Sequence, residues 1–134
     1  EKVLTMLERV GLSEEIAGRY PSQLSGGQRQ RVGIATALML EPKLLIADEP
    51  LSALDVTIQA QVAELLQKLQ KEMGLSVLLI SHDLRMVYNL CKKISIMEHG
   101  RVIESGKVDD IYFAPTENYT KELLEAAGIC YNEK

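Results

Sequence analysis

Two short apolar runs, each followed directly by polar residues, constrain the fold of this chain most strongly. Leu44 to Ala47 leads into Asp48-Glu49-Pro50, and Leu75 to Ile80 leads into Ser81-His82-Asp83. Both runs have the length and the apolar side chains of a buried strand. Between them, from Ile58 to Leu69, apolar side chains recur at helical spacing and predict an amphipathic helix. The order strand, helix, strand predicts an α/β fold with parallel pairing.

The remaining sequence predicts helices before this unit and a hairpin after it. Val3 to Val10 has helical periodicity, and Ser25 is a natural N-cap for a helix that reaches about Leu40. Later residues are predicted to form a helix at 83–90, strands at 94–97 and 102–104, and helices at 108–113 and 117–127. We expect the residues from Gly128 onward to be frayed.

Composition excludes several classes of protein. The chain has 134 residues, of which 46% are hydrophobic and 25% are charged, and its formal net charge is −4. These values are typical of a globular domain, and the acidity gives no electrostatic footprint for nucleic acid. No apolar stretch reaches the ~20 residues of a membrane-spanning helix, and no signal peptide is visible. Cys91 and Cys130 form no metal-like spacing. With only two cysteines, a reduced cytosolic context is expected.

Four groups of polar residues stand at the ends of the predicted elements. Ser25 to Gln28 opens a helix, where glycines admit a ligand close to the backbone and free N–H groups favour an anion. After the first strand, Asp48 can hold Mg²⁺ through water, and Glu49 can polarise a water for attack on a phosphoryl group. Asp55 and His82 complete the set.

Each group taken alone also has a simple structural interpretation. The Ser-Gly-Gly sequence makes a well-capped turn, and Asp48-Glu49 can be a strand end that meets solvent. Asp55 is a good helix N-cap, and a lone histidine such as His82 is usually incidental after a strand.

Taken together, the four groups resemble the ATP-binding subunits of ABC transporters. Leu24 to Gln28 is identical to the Leu-Ser-Gly-Gly-Gln motif of that family. Lys43 to Glu49 resembles its Walker B strand with the adjoining glutamate, Ser52 to Asp55 resembles its D-loop, and His82 its switch histidine. The resemblance implies an α/β ATPase core of the P-loop NTPase (RecA-like) class. It divides the chain into the end of a helical subdomain (1–40), the second half of the core (41–106) and a C-terminal helical tail (107–134).

The resemblance also implies roles for these residues and names ATP and Mg²⁺ as cofactors. Asp48 would help to place Mg²⁺, Glu49 would be the general base for ATP hydrolysis, and His82 would contact the γ-phosphate. The residues implied to serve the nucleotide held by the opposite subunit are Ser25, Gly26, Gly27 and Gln28, with Asp55 coupling the two sites.

One essential element of the family, the phosphate loop Gly-x-x-x-x-Gly-Lys-Ser/Thr, does not occur in these 134 residues. Gly106-Lys107-Val108 lacks both the first glycine and the hydroxyl residue. The chain also begins at Glu1, without methionine and inside an apolar-periodic run. We therefore expect the C-terminal part of a nucleotide-binding domain, without the phosphate-loop strand and without measurable ATP turnover on its own. Unpaired strand edges would then favour self-association, rearrangement or marginal stability.

The C-terminal segment points to one branch of the family. Pro115 is followed by Tyr119-Thr120 and Leu123-Leu124, a pattern that resembles the tail of importers for dipeptides, oligopeptides and nickel. The alternative interpretation is an ordinary amphipathic helix after proline. Two cysteines are too few for the iron–sulfur tail of some members, so no cluster is expected.

The implied partners are a second nucleotide-binding domain, in a homodimer or a heterodimer, and membrane permease subunits. An extracellular substrate-binding protein would act indirectly, and the protein would be peripheral on the cytoplasmic side of the membrane. Two alternatives stay open: a non-transport ABC ATPase, and a non-catalytic interaction module that lost hydrolysis. The presence of Glu49 and His82 favours an ATPase.

Overall fold

The chain is divided into two structural units. The computed structural model describes residues 1–52 and 54–130. The first unit is Glu1–Ile80 and the second begins at Ser81. The expected frayed tail is described as far as Cys130, and its last four residues lie outside the described part. Among the described residues, no helix combines the length and the hydropathy that crossing a membrane requires.

In the described residues of the first unit, four helices or helical turns precede a β-α-β arrangement. Its elements are α1 (Lys2–Arg9), two 3₁₀ turns (Glu14–Gly18 and Pro21–Gln23), α2 (Gly26–Leu38), β1 (Leu44–Asp48), α3 (Val56–Met73) and β2 (Ser76–Ile80). Strands β1 and β2 pair in parallel, from Leu44 opposite Ser76 to Asp48 opposite Ile80. The predicted strand-helix-strand unit with parallel pairing is confirmed.

Helix α3 contributes one apolar stripe to the core of this unit. Val62, Leu65, Leu66 and Leu69 are buried, which is the i, i+3, i+4, i+7 pattern of one helix face. The helix ends at Gly74, whose φ of +61° suits a residue without a Cβ. The stripe predicted from the sequence is therefore the buried one.

The prediction of fully buried strands is wrong for one face of the β1–β2 sheet. Ile46 is 60% exposed and Leu78, its partner in the register, is 52% exposed. Leu44 and Ile80 on the same face are about half exposed, whereas Ala47 on the other face is buried. The apolar composition of these strands predicts that both faces of the sheet are buried. Among the described residues, other elements pack against one face only. We call these four exposed residues the bare face.

As far as residue 130, the second unit is a hairpin packed with three helices. Its elements are α4 (Leu84–Leu90), β3 (Lys93–Glu98), β4 (Arg101–Lys107), α5 (Val108–Phe113) and α6 (Asn118–Ala126). Strands β3 and β4 are antiparallel and form a second two-stranded sheet. His99 and Gly100 connect them with positive φ at both positions, the conformation that two-residue hairpin turns require. The predicted hairpin is confirmed, with strands longer than the sequence indicated.

A buried carboxylate joins the hairpin to the last helix. Glu104, on β4, is only 9% exposed. Its Oε1 accepts hydrogen bonds of 2.8 Å from both the backbone N–H and the hydroxyl of Thr116, and its Oε2 accepts one of 3.3 Å from the N–H of Glu117. Burial of the carboxylate raises its pKa, but the donated hydrogen bonds outweigh burial, so the pKa of Glu104 lies below the ordinary value. The charged carboxylate therefore accepts hydrogen bonds from the two residues that precede α6.

We predict that Glu104→Ala destabilises the second unit by about 1–2 kcal/mol near neutral pH, because the amides before α6 lose their acceptor. Glu104→Gln keeps one acceptor oxygen and should cost less. The folded-state pKa is the lower one, so the stabilisation is present above the unfolded value of about 4.3 and is lost as pH falls through the folded value. Amide hydrogen exchange in α6, measured against pH, checks this.

The matched control is Glu122→Gln, an exposed carboxylate on α6 itself. It should leave the exchange rates and their pH dependence almost unchanged. Equal effects of the substitutions at Glu104 and Glu122 would show that the buried cap contributes nothing specific.

Candidate functional site

The Leu24–Gln28 segment forms the N-terminus of α2 through a reciprocal cap. The hydroxyl oxygen of Ser25 accepts a hydrogen bond of 3.2 Å from the N–H of Gln28, and Oε1 of Gln28 accepts one of 3.0 Å from the N–H of Ser25. The side-chain NH₂ of Gln28 is not used by this cap. Within the described part of the chain, the N–H groups of Gly26 and Gly27 have no recorded acceptor, as expected for the first turn of a helix. The turn can therefore offer backbone donors to an anion.

Close packing explains why both positions are glycines. A Cβ added at Gly27 would stand 2.7 Å from Cγ2 of Ile58, and one added at Gly26 would stand 3.2 Å from Cδ2 of Leu54. Gly27 is buried, and Ile58 lies in the first turn of α3. The glycines thus bring the start of α2 against the start of α3, in addition to leaving room for a ligand.

The acidic pair lies at the carboxyl end of β1. Asp48 is exposed and Glu49 is partly exposed. The N–H of Glu49 donates to the carbonyl oxygen of Ile80 at 2.9 Å, which extends the parallel ladder by one bond. Glu49 nevertheless has a φ of +44°, a left-handed conformation that is costly for a residue with a Cβ. The chain leaves the sheet at this residue.

Hydrogen bonds hold the loop that follows Glu49. The N–H and hydroxyl of Ser52 donate to the carbonyl oxygen of Glu49 at 3.4 and 3.2 Å, and Nε2 of Gln59 donates to that of Leu51 at 3.0 Å. Oδ1 of Asp55 accepts a bond of 3.0 Å from the N–H of Ile58 and so caps α3. The structural interpretation of Asp55 as an N-cap is therefore right, and its role in coupling two sites stays a prediction. Ala53, within the predicted D-loop, lies outside the described residues.

His82 belongs to the second unit and is exposed. The hydroxyl of Ser81 accepts a bond of 3.1 Å from the N–H of Asp83, and Oδ1 of Asp83 caps α4 by accepting one of 3.0 Å from the N–H of Met86. The histidine thus stands in an ordered turn. Among the predicted site residues, the first unit brings the glycine turn against the helix that Asp55 caps, while His82 is placed with the second unit.

Sequence reasoning missed the residues that support this arrangement. Ile58 and Leu54 limit the space at the glycines, and Gln59 fixes the loop after β1. Nη1 of Arg29 donates to the carbonyl oxygen of Leu24 at 2.6 Å and holds the turn before α2. The only signal in the sequence was the pair of adjacent glycines, which indicates close approach without naming the partner.

Comparison with known proteins identifies relatives of this arrangement. The family described as ABC transporter matches residues 1–52. The oligopeptide transport ATP-binding protein OppF of Streptococcus mutans is 54% identical over 125 residues, which are 93% of this chain and 41% of that protein. OppF of Escherichia coli is 51% identical, with 96% of this chain and 39% of that protein covered. The dipeptide transport ATP-binding protein DppF of Haemophilus influenzae is 52% identical, with shares of 94% and 38%.

This chain is similar to the ATP-binding proteins of ABC transporters. It spans about two fifths of the length of the curated relatives it matches. A solved structure, an ATP-binding cassette of an ABC transporter in its ADP conformation, matches with a TM-score of 0.79 at 26% identity, over 92% of this chain and 48% of that chain. The resemblance read from the motifs is confirmed, and so is the fold class. The roles of individual site residues and the three predicted segments stay predictions.

We predict that Gly27→Ala destabilises the first unit and weakens the contact between α2 and α3, because the new Cβ overlaps Ile58. A cost of about 1–3 kcal/mol is expected for overpacking of this kind. Ile58→Ala in the same chain removes Cγ2 and should recover part of that loss. Urea unfolding of the single and double variants measures both effects.

Gly33→Ala is the control, since Gly33 lies on the same helix and a Cβ there meets nothing within 4 Å. It should stabilise the chain by up to about 1 kcal/mol through helix propensity. If Gly27→Ala behaved like Gly33→Ala, the close contact with Ile58 would not limit position 27.

Proposed function

We propose that this chain is part of an ATPase that powers peptide import. It would supply helix α2 with its Leu-Ser-Gly-Gly-Gln turn, and strand β1 with the Asp48-Glu49 pair. The observation that carries the proposal is the pairing of two features within the first unit. The Leu-Ser-Gly-Gly-Gln turn leaves backbone donors at the start of α2, and Asp48-Glu49 stands at the carboxyl end of β1. The similarity to oligopeptide and dipeptide transport ATP-binding proteins supports peptides as the transported class.

The residues present fit the magnesium site that the proposal requires. The described residues contain no group of three or more His, Cys, Asp or Glu that could enclose a metal. Mg²⁺ does not need such a cage, because it keeps several waters and binds through one or two carboxylates and the substrate phosphates. Asp48, exposed at the strand end, is the carboxylate we assign to it. Bound there, Mg²⁺ would neutralise charge on the phosphates.

Glu49 would act as the general base. The hydrogen bond to Ile80 and the two hydrogen bonds from Ser52 fix the backbone of Glu49. They therefore fix the position of the Cα that carries its carboxylate side chain. A carboxylate in this position can accept the proton of the attacking water while the water oxygen bonds to the γ-phosphorus and the bond from the γ-phosphorus to the bridging oxygen of the leaving ADP breaks. His82 would contact the γ-phosphate.

The glycine turn would serve a nucleotide bound by a second nucleotide-binding domain. The N–H groups of Gly26 and Gly27, the hydroxyl of Ser25 and the free amide of Gln28 can all donate to phosphate oxygens. Asp55, which caps the helix packed against this turn, would couple the two sites. Membrane permease subunits are the other proposed partners, with the protein peripheral on the cytoplasmic face and a binding protein acting indirectly. The names of the relatives favour a transport ATPase over the two alternatives, a non-transport ABC ATPase and a non-catalytic interaction module.

We predict that Glu49→Gln abolishes ATP turnover but permits ATP binding. The test uses a hybrid in which this chain replaces the aligned segment of Streptococcus mutans OppF, so that a phosphate loop is present. The parental hybrid should hydrolyse ATP, and the variant should lose at least about 100-fold in kcat, as expected when a general base is removed. Phosphate release and nucleotide binding measure the two properties.

Glu8→Gln, an exposed carboxylate on α1, is the matched control and should keep the parental kcat. Parental turnover in Glu49→Gln would refute the assignment of the base. A parental hybrid that folds but does not hydrolyse ATP would refute the proposed ATPase function itself.

We also predict that the 134-residue chain alone hydrolyses no ATP at a measurable rate. These residues contain no phosphate loop, so the β- and γ-phosphates would lack the backbone nest and the lysine that hold them. A sensitive phosphate-release assay on the purified chain checks this, with the hybrid as positive control. Ordinary turnover by the chain alone would contradict the prediction.

A further inference from the structure

A basic concavity in the first unit has no role in the proposed ATPase mechanism. It lies where the end of α1 meets α2 and α3 and has a volume of about 420 Å³. Three cationic side chains, Arg9, Arg31 and Lys68, and one carboxylate, Glu64, line it. We call it the basic pocket. None of its residues belongs to the Leu24–Gln28 turn, the Asp48-Glu49 pair or the loop that ends at Asp55.

Hydrogen bonds hold Arg31, one of the three cations of the basic pocket, in place. Nη1 of Arg31 donates to the carbonyl oxygen of Val10 at 3.1 Å, and Nη2 donates to Oε1 of Gln61 at 3.3 Å. A Cβ at Gly11, where φ is +72°, would stand 2.7 Å from Nη1, so the glycine leaves space for the guanidinium. A guanidinium carries five N–H donors, and these two bonds leave others for a ligand. Arg31 is therefore oriented before any ligand arrives.

The positive charge of the pocket is only partly balanced. Both acceptors of Arg31 are neutral, and neither Arg9 nor Arg31 forms an ion pair with any residue that the structure describes. Lys68 lies 3.8 Å from Glu72, but both side chains are about half exposed and such pairs are weak. The pocket thus concentrates two net positive charges in a chain whose net charge is −4.

We propose that the basic pocket binds a small multivalent oxyanion, a compound that carries phosphate groups or several carboxylates. Its volume lies in the range of small-molecule sites. Arginine forks match phosphate and carboxylate oxygens in pairs, and an oriented fork loses less entropy on binding. The proposal does not depend on the ATPase function.

The experiment titrates the 134-residue chain at low ionic strength with inorganic pyrophosphate and, separately, with citrate, because salt screens exposed charges. Calorimetry gives the Kd, and backbone amide shifts give the location. Two double variants carry the same loss of charge: Arg9→Gln with Lys68→Gln in the pocket, and Lys2→Gln with Arg19→Gln at exposed sites outside its lining. Arg31 stays intact because it also holds the carbonyl of Val10.

We expect saturable binding with amide shifts at Val10, Gly11 and Gln61. The Kd should rise about tenfold in the pocket double variant and stay near the parental value in the control. Tighter binding of pyrophosphate would identify a phosphate compound, and tighter binding of citrate a polycarboxylate. The proposal is overturned by the absence of saturable binding, by equal weakening in both double variants, or by shifts confined to Gly26 and Gly27.

Discussion

The parallel pairing of β1 with β2 is the constraint on which the candidate site depends. It sets the carboxyl ends of both strands at one edge and continues one bond further, from Glu49 to Ile80. The chain must then turn away at once, and it does so with Glu49 in a left-handed conformation. The same residue that the proposed chemistry needs as a base is therefore the residue where the backbone changes direction. The pairing of the two strands therefore also determines where the carboxylate of Glu49 is attached.

Side-chain caps then fix how the helices begin. Ser25, Asp55 and Asp83 each accept a hydrogen bond from an N–H in the first turn of the helix that follows, and all three could be read from the sequence because caps are local. Glu104 lies on a strand, twelve residues before Thr116 and thirteen before Glu117, and bonds both residues ahead of α6. No sequence pattern announces such a contact, since it depends on how the hairpin and the helix pack.

The same distinction separates what the sequence predicted from what it could not. Strand and helix order, parallel pairing and the α3 stripe follow from periodicity, a property of neighbouring residues. The contact of Ile58 with Gly27 depends on two helices meeting, and the exposure of Ile46 depends on which face of a sheet is covered. For the site, the motifs named the chemical groups, while the supporting hydrogen bonds of Arg29 and Gln59 required coordinates.

The bare face of the β1–β2 sheet has a consequence for handling the chain in solution. Ile46 and Leu78 present adjacent apolar side chains to water. Attraction between such surfaces is entropic near room temperature and weakens on cooling, and sulfate or phosphate salts strengthen it. Association of the purified chain through this face should therefore increase on warming and in those salts, so cold, dilute buffers of low salt will keep it dispersed. The exposed Ile46 and Leu78 side chains thus determine the temperature and the salt at which the purified chain stays dispersed.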